Sequence, residues 1–254
     1  MHYKQRIEET SHKNKTDIVL ALDFPYQRPS DRKTLLAKAQ ETLEAVSKYV
    51  CAVKINHHLV LPLGTFDGVQ TIINQAHDNG LQTIIDCKVN DIGNTNEIIA
   101  NYYFAAGFDA LIANPFIGWE EGLKPIFQVA QKQKRGVILL TYMSHKAASE
   151  GYGQTIIDEK TKQPIPQYIL FAKKALAWNA DGAVVGATVP EKIREIKEEL
   201  GETVPIYSPG VGAQGGTANE ARNAGARYLI VGRDITQSKD PAEAAKKIAN
   251  AAKQ

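Results

Sequence analysis

The sequence predicts an α/β protein of the (β/α)8 class, also called the TIM barrel. Eight short apolar runs recur along the 254 residues, and segments with Ala, Glu, Lys and Leu at helical spacing separate them. Continuously apolar strands are typical of parallel sheets covered on both faces. Eight alternating units in a chain of this length match a barrel better than an open sheet.

Each predicted strand is a run of β-branched and other apolar residues. The runs are Asp17–Asp23, Tyr49–Ile55, Leu81–Asp86, Asp109–Ala113, Gly136–Thr141, Gly182–Gly186, Thr203–Tyr207 and Ala226–Val231. Helical spacing is clearest at Asp31–Ser47, Glu191–Glu199 and Pro241–Lys253. Pro190 and Pro241 fall in first helical turns, where a missing N–H group costs least.

Two segments lie outside this repeating pattern. Residues 1–15 are polar and form an extension ahead of a single catalytic barrel domain, residues 16–254. The extension is either disordered or packed against the bottom of the barrel. The longest connection, His145–Gln167, is rich in Gly, Ser and Pro, so it is either a mobile lid or an inert surface loop.

Composition narrows the possible classes of function. The net charge of +2, from 30 basic and 28 acidic residues, is too balanced for nucleic-acid or membrane-surface binding. No apolar run approaches the roughly 18 residues that span a bilayer, and the polar N-terminus lacks the apolar core of a signal peptide. Cys51 and Cys87 lie in apolar runs, which is typical of buried, reduced thiols. We therefore expect a cytoplasmic protein.

Charged residues fall at the carboxyl ends of the first three predicted strands, where a barrel places its active site. Asp23 ends the first strand, Lys54 lies in the second, and Asp86, Lys88 and Asp91 follow at the end of the third. Opposite charges about 4 Å apart attract by roughly 4 kcal/mol at an effective dielectric constant near 20, so alternating signs hold such groups ionised.

This cluster predicts a catalytic site built from charges without a metal ion. A lysine between carboxylates stays protonated and can donate a proton to carbon, while a carboxylate held near a substrate carboxylate favours loss of CO2. Ordinary structural ion pairs on a barrel rim are the alternative, and they account better for any one residue than for the whole set.

A glycine-rich segment, Ser208–Gly216, follows the seventh strand and contains a G-x-G-x-x-G pattern. Asp234 lies at about the distance expected of the ribose-binding acid in a dinucleotide-binding fold. Such a pattern belongs to the first β/α turn, however, so an NAD-dependent oxidoreductase is disfavoured. Barrels often bind phosphate with the loops after strands seven and eight. Gly232 and Arg233 at the end of strand eight supply N–H groups and a guanidinium for that purpose.

Taken together, these motifs resemble those of the orotidine 5'-monophosphate decarboxylase family. Residues 86–95, DCKVNDIGNT, are similar to its D-x-K-x-x-D-I-x-N-T signature, and residues 208–216 with VGR at 231–233 are similar to its phosphate clamp. The resemblance runs in order from Asp23 to Arg233. Gly93 departs from a position that is often Pro, and the extension before Asp17 and residues 145–167 match no pattern of the family.

The resemblance implies decarboxylation of orotidine 5'-monophosphate (OMP) to UMP, the last step of de novo pyrimidine synthesis, without a cofactor or metal. It implies that Lys88 protonates C6 of the pyrimidine as CO2 leaves, and that Asp86 lies against the departing carboxylate. The other implied contacts are Asp23 and Lys54 with the ribose and the charge network, Ser144 and Pro209 with the pyrimidine, Gln214 with pyrimidine and phosphate, and Gly232 and Arg233 with the phosphate.

The same resemblance implies a homodimer. Asp91, Ile92 and Thr95 would reach into the site of the neighbouring subunit.

Two further alternatives stay open. Mg2+-dependent sugar-phosphate synthases and decarboxylases of the same superfamily share the barrel and the D-x-K-x-x-D pattern. Ile92, where those enzymes tend to have a small residue, favours the OMP branch, as does the glycine-rich loop. A non-catalytic phosphate-binding barrel is the other alternative.

His57 and His58 lack a second ligand pair, which favours histidines at a helix start over a metal site.

Overall fold

The computed structural model describes residues 1–159 and 161–252, so the predicted helix end at Lys253 and one position of the long connection, Lys160, lie outside the described residues. Eight parallel strands form a closed barrel in which each strand pairs with its neighbour in sequence and the last closes onto the first. This confirms the predicted (β/α)8 class.

Helices lie between successive barrel strands along the chain, and two further strands, β6 and β7, lie outside the barrel. The strands are β1 (Ile18–Ala21), β2 (Ala52–Ile55), β3 (Gln82–Val89), β4 (Ala110–Ala113), β5 (Gly136–Tyr142), β6 (Thr155–Ile157), β7 (Pro164–Pro166), β8 (Gly182–Val185), β9 (Ile206–Pro209) and β10 (Tyr228–Val231). The helices are α1 (Tyr3–Asn14), α2 (Arg32–Val46), α3 (His57–Leu63), α4 (Val69–Asp78), α5 (Gly93–Ala105), α6 (Lys124–Gln133), α7 (Ala148–Gly151), α8 (Gln167–Ala177), α9 (Pro190–Leu200), α10 (Ala218–Asn223), α11 (Arg233–Thr236) and α12 (Pro241–Ala251).

Several strand boundaries differ from the prediction: β2 begins at Ala52 and not at Tyr49, and the third and seventh strands show shifts of similar size. The third strand was expected to end at Asp86, but β3 continues to Val89, so the charged residues lie within the strand. Polar side chains are tolerated there because the upper layer of the barrel faces a cavity. The seventh strand was expected at Thr203–Tyr207, but β9 begins only at Ile206. Pro205, just before it, has no N–H group to donate to a neighbouring strand.

Alternation along the strands sends every second side chain into the barrel. Val19, Ala21, Ala52 and Ile84 belong to one buried cluster together with residues of the other five barrel strands. A second, larger cluster of aliphatic side chains packs between the barrel and its helices. The positions that follow the inward apolar residues along β1, β2 and β3 therefore form the next layer toward the carboxyl ends.

Residues 1–15 include a helix that fills the bottom of the barrel. Tyr3 and Ile7 of α1 are fully buried, and the Tyr3 hydroxyl oxygen lies 3.2 Å from that of Tyr207. A Cβ atom added to Gly136 would lie 2.2 Å from the Tyr3 ring, so only glycine leaves room for this ring.

Polar contacts fix the same helix to three aspartates that precede barrel strands. The Arg6 guanidinium donates to Asp109 at 2.9 Å, the His2 Nδ1 lies 3.1 Å from an Asp181 oxygen, and the Ser11 hydroxyl donates to Asp17. These aspartates immediately precede β4, β8 and β1. The ends of separate strands are thereby tied to one helix.

The connection 145–167 carries secondary structure that its composition did not predict. It contains α7 and an antiparallel pair, β6 and β7. Tyr152 joins it to β5 and α8: its ring is tilted against that of Tyr142 at 5.9 Å between centroids, and it makes an edge contact with that of Phe171 at 6.1 Å.

Other features of the described residues agree with the sequence analysis. Cys51 is buried and Cys87 partly so, and both are free thiols. Pro190 and Pro241 lie in first helical turns. Within residues 1–159 and 161–252, no helix has both the length and the apolar character needed to cross a bilayer.

We expect Tyr3→Ala to lower the free energy of unfolding by about 3–5 kcal/mol, because it opens a cavity at the barrel bottom. Urea denaturation followed by circular dichroism measures this. Tyr26→Ala is the matched control, because Tyr26 is 86% exposed and its removal should change stability by less than about 0.5 kcal/mol. Equal losses in the two variants would contradict a plugging role for α1.

Candidate active site

A cavity of about 220 Å³ opens at the carboxyl ends of the barrel strands. It brings together nine of the residues predicted for the site. They are Asp23, Lys54, Asp86, Lys88, Ser144, Pro209, Gln214, Gly232 and Arg233.

Asp86 and Lys88 enter this cavity from β3. They follow the inward-facing Ile84 at intervals of two residues, as alternation requires. The pairing between β3 and β4 shifts between Ile85 and Val89, and Lys88 has a φ of 47°. This left-handed conformation costs a residue with a side chain roughly 1–2 kcal/mol, so the surrounding contacts must hold it in place.

Four charged groups form a chain of alternating sign along β1, β2 and β3. The Lys88 ammonium donates to Asp86 Oδ1 at 2.6 Å, and the Lys54 ammonium donates to Asp86 Oδ2 at 3.0 Å. Lys54 Nζ also lies 3.7 Å from Asp23 Oδ1. Both oxygens of the Asp86 carboxylate are thus bound by cations.

Burial and the neighbouring charges act in opposite directions on the pKa values of Asp86 and Lys54. Burial raises the pKa of Asp86, but attraction to Lys54 and Lys88 outweighs it and brings this pKa below 3.8. Burial lowers the pKa of Lys54, but attraction to Asp86 and Asp23 outweighs it and brings this pKa above 10.5. Both groups are therefore ionised at neutral pH, although each is more than nine-tenths buried.

Asn56 is a cavity residue that sequence reasoning missed. Its Nδ2 donates to Asp23 Oδ1 at 2.9 Å, and its Oδ1 accepts from the His58 N–H at 2.9 Å at the start of α3. The period of two along β2 could have found it, because Asn56 follows Lys54 by two residues. His57 and His58 begin α3, in line with the interpretation favoured over a metal site.

Ser144 and Gln214 meet across the mouth of the cavity. The Ser144 hydroxyl donates to Gln214 Oε1 at 2.7 Å, and the Ser144 carbonyl accepts from the Thr188 hydroxyl at 2.9 Å. A Cβ atom added to Gly186 would lie 2.6 Å from Ser144 Cα. Gly186 and Thr188 therefore help to hold Ser144.

The glycine-rich loop, which we define as residues 210–216, closes on itself beside Arg233. The Gly212 N–H donates to the Gly216 carbonyl at 2.8 Å, and the Gly216 N–H donates to the Gly210 carbonyl at 3.1 Å. Gly210 and Gly212 have φ values of 99° and 78°, which glycine adopts without strain. The loop and the guanidinium border the same cavity, an arrangement that suits an anion.

The structure places Asp91, Ile92 and Thr95 elsewhere. They lie between the end of β3 and the first turn of α5, outside this cavity. Ile92 is 62% exposed. The fully buried Asn96, another residue that was missed, holds this turn by accepting from the Asp91 N–H at 3.1 Å and donating to the Gly122 carbonyl at 2.9 Å.

No group of three or more His, Cys, Asp or Glu side chains is arranged to hold a metal ion, as far as the described residues go. Asp86, the most buried acid of the cavity, has its two oxygens directed at ammonium groups instead.

Residues 16–248 match the model of the family described as Orotidine 5'-phosphate decarboxylase / HUMPS. The chain belongs to this family. A member from Methanosarcina acetivorans named orotidine 5'-phosphate decarboxylase is 36% identical over 234 residues, which are 92% of this chain and 93% of that protein. One of the same name from Methanococcoides burtonii is 37% identical over 92% of this chain and 96% of its own length.

Solved structures of the orotidine 5'-phosphate decarboxylase family share the fold. The enzyme from Methanocaldococcus jannaschii in complex with the inhibitor BMP is 33% identical, with a TM-score of 0.77 over 94% of this chain and 99% of that one. Leishmania donovani UMP synthase has a TM-score of 0.83 at 22% identity, covering 98% of this chain and 55% of its own, and supports the fold alone.

We expect Lys54→Met to destabilise the protein by about 3 kcal/mol, because a buried carboxylate loses one of its two cations. The effect should depend on pH. In the parent protein Asp86 contributes stability above pH 3.8 that is lost as pH falls through its lowered folded-state pKa. Without Lys54 this pKa rises toward or above the unfolded-state value, so the loss of stability in acid that is linked to Asp86 should be smaller in the variant, and the difference in stability between the two proteins should shrink as pH falls.

Urea denaturation at a series of pH values tests this, with Lys33→Met on the exposed side of α2 as the matched control. Identical acid profiles for the Lys54 variant and the parent protein would contradict the assignment of Lys54 as a partner of Asp86.

Proposed function

We propose that this protein decarboxylates OMP to UMP. The observation that carries the proposal is the Asp86 carboxylate, held ionised between two ammonium groups in a cavity whose rim carries the glycine-rich loop and Arg233. The relatives named orotidine 5'-phosphate decarboxylase support the choice of substrate.

The charges of the cavity indicate how OMP would lie. Its phosphate would bind Arg233, the Gly232 backbone and Gln214, since the guanidinium and the amide are the donors at the rim. Asp23 and Lys54, which the adjoining strands β1 and β2 place beside β10, would bind the ribose hydroxyls.

The pyrimidine would then lie between the rim and β3. Pro209 would line one face and the Ser144 hydroxyl would bind the ring edge. This leaves C6 and its carboxylate toward Asp86 and Lys88. The substrate carboxylate would crowd Asp86, and binding energy from the remote phosphate would offset this repulsion.

The proposed reaction needs no added electron donor or acceptor. The bond between C6 and the carboxylate carbon breaks, CO2 leaves, and the electron pair stays on C6. The Lys88 ammonium donates a proton to C6, which forms the C6–H bond of UMP. The neutral Lys88 amine then takes a proton from water.

A Mg2+-dependent sugar-phosphate reaction is the second candidate, because the family description includes the HUMPS branch. The charge distribution around Asp86 favours the metal-free reaction. A divalent cation that bound the Asp86 oxygens would lie beside two ammonium groups, because Lys54 and Lys88 already donate to those oxygens at 3.0 Å or less. Coulombic repulsion in a buried site opposes such an arrangement.

We also propose a homodimer in which Asp91, Ile92 and Thr95 complete the site of the partner subunit. Exposed apolar side chains near these residues support it: Phe66 is 53% and Tyr102 60% exposed, and their rings contact each other at 6.1 Å. They border a depression that also reaches Lys88. Apolar surface of this kind is typical of a contact between subunits.

The direct test is to mix OMP with EDTA-treated protein and follow the ultraviolet absorbance of the pyrimidine. We expect the spectrum to change from that of OMP to that of UMP at the same rate with and without the chelator. Loss of activity in EDTA that Mg2+ restores would favour the sugar-phosphate branch. Binding of UMP without turnover of OMP would indicate a non-catalytic barrel.

We expect Lys88→Ala to lower kcat for OMP by at least about 10³-fold, because the proton donor is lost. UMP should still bind, since the phosphate and ribose contacts remain. Stopped-flow turnover and calorimetry measure the two quantities, and Lys132→Ala on the exposed face of α6 is the control. Near-normal turnover would exclude Lys88 as the proton donor.

Mixing two inactive variants tests the shared site. In a heterodimer of Lys88→Ala and Asp91→Ala, one site has Lys88 from one subunit and Asp91 from the other. Random exchange should therefore restore about a quarter of parental activity, because half of the dimers carry one intact site. Mixtures that stay inactive after verified subunit exchange would contradict the shared site.

A further inference from the structure

Asp234 binds the glycine-rich loop from outside the cavity. It lies next to Arg233 on α11, and its Oδ1 accepts a hydrogen bond from the Ala213 N–H at 3.0 Å. A Cβ atom added to Gly212 would lie 1.8 Å from Asp234 Oδ2. The carboxylate therefore occupies space that any residue except glycine at position 212 would fill.

This contact gives the loop a second anchor. On the cavity side, Gln214 accepts from Ser144, and on the outer side the preceding residue, Ala213, donates to Asp234. Residues 212–215 of the loop are exposed, and backbone hydrogen bonds donated by Gly212, Gly215 and Gly216 close the loop on itself. Loss of the hydrogen bond between Ala213 and Asp234 would leave the backbone next to Gln214 free to move.

The charge of Asp234 makes a purely electrostatic role in phosphate binding unfavourable. An anion beside Arg233 opposes a bound phosphate, whereas an anionic acceptor makes a stronger hydrogen bond to the Ala213 N–H than a neutral one. A favourable contribution of Asp234 to phosphate binding would therefore act through the geometry of the loop.

We infer that Asp234 is a positioning residue that holds the glycine-rich loop in the conformation that receives the substrate phosphate. The inference rests on the proposed function in that the ligand carries a 5'-phosphate. It assigns to Asp234 a role in binding phosphorylated ligands and none in the chemical step.

The test compares Asp234→Ala, which removes the acceptor, with Asp234→Asn, which keeps an oxygen acceptor and removes the charge. Gln237→Ala, an exposed residue at the end of α11, is the control. Calorimetry measures the dissociation constants of UMP and uridine, and steady-state assays measure kcat and KM for OMP.

We expect Asp234→Ala to weaken UMP binding and raise KM by about 10-fold, as loss of a charged hydrogen bond does. The dissociation constant of uridine and the value of kcat should change by less than about 2-fold. Asp234→Asn should bind UMP within about 2-fold of the parent protein or more tightly, because the acceptor stays and the repulsion is gone.

Three results would overturn the inference. The first is unchanged UMP binding in Asp234→Ala, and the second is equal loss of UMP and uridine binding, which indicates general damage. The third is an Asn variant as impaired as the Ala variant. A parent protein that neither turns over OMP nor binds UMP would instead reject the proposed function, and the inference with it.

A double-mutant cycle tests the contact itself. Gly212→Ala should weaken UMP binding less in the Asp234→Ala background than in the parent background, because the clash with the carboxylate is gone and only the strain at φ 78° remains. Additive effects of the two substitutions would show that Asp234 and Gly212 do not act through each other.

Discussion

The Asp86 carboxylate between the Lys54 and Lys88 ammonium groups is the interaction on which the rest of the site depends. Its two oxygens are held by cations from two positions, one on the same strand and one on the neighbouring strand. A buried carboxylate with one cation removed would be costly, so the pairing of β2 with β3 must place all three groups together. Closure of the barrel is what makes this placement rigid.

The two ends of the barrel have different roles: the bottom contributes to stability, and the top carries the candidate active site. At the bottom, α1 inserts Tyr3 between the strands and binds three aspartates, which ties β1, β4 and β8 to one element. At the top, strain is tolerated instead: Lys88 has a left-handed backbone, and the loop beside Arg233 depends on glycines. Such a division is general in these barrels, where conserved geometry below supports variable chemistry above.

Most residues of the active site were predictable from the sequence because the carboxyl ends of parallel strands converge. That rule, with the family motifs, brought Asp23, Lys54 and Asp86 into one site. Boundaries were less predictable: charge at the end of β3 was mistaken for the end of the strand. Asn96 was missed, and Asp234 was considered only as a ribose-binding acid, because each acts on a backbone group distant in sequence and local pattern carries no signal for such contacts.

The most direct measurement of the central claim is a carbon-13 NMR titration of the Asp86 side-chain carboxyl, assigned by comparison with Asp86→Asn. Burial raises the pKa of this group, and the attraction of Lys54 and Lys88 outweighs it. The account predicts a carboxylate that stays ionised from neutral pH down to below pH 3.8. A carboxyl group that takes up its proton above that value would show that desolvation outweighs the two cations, and would contradict the account.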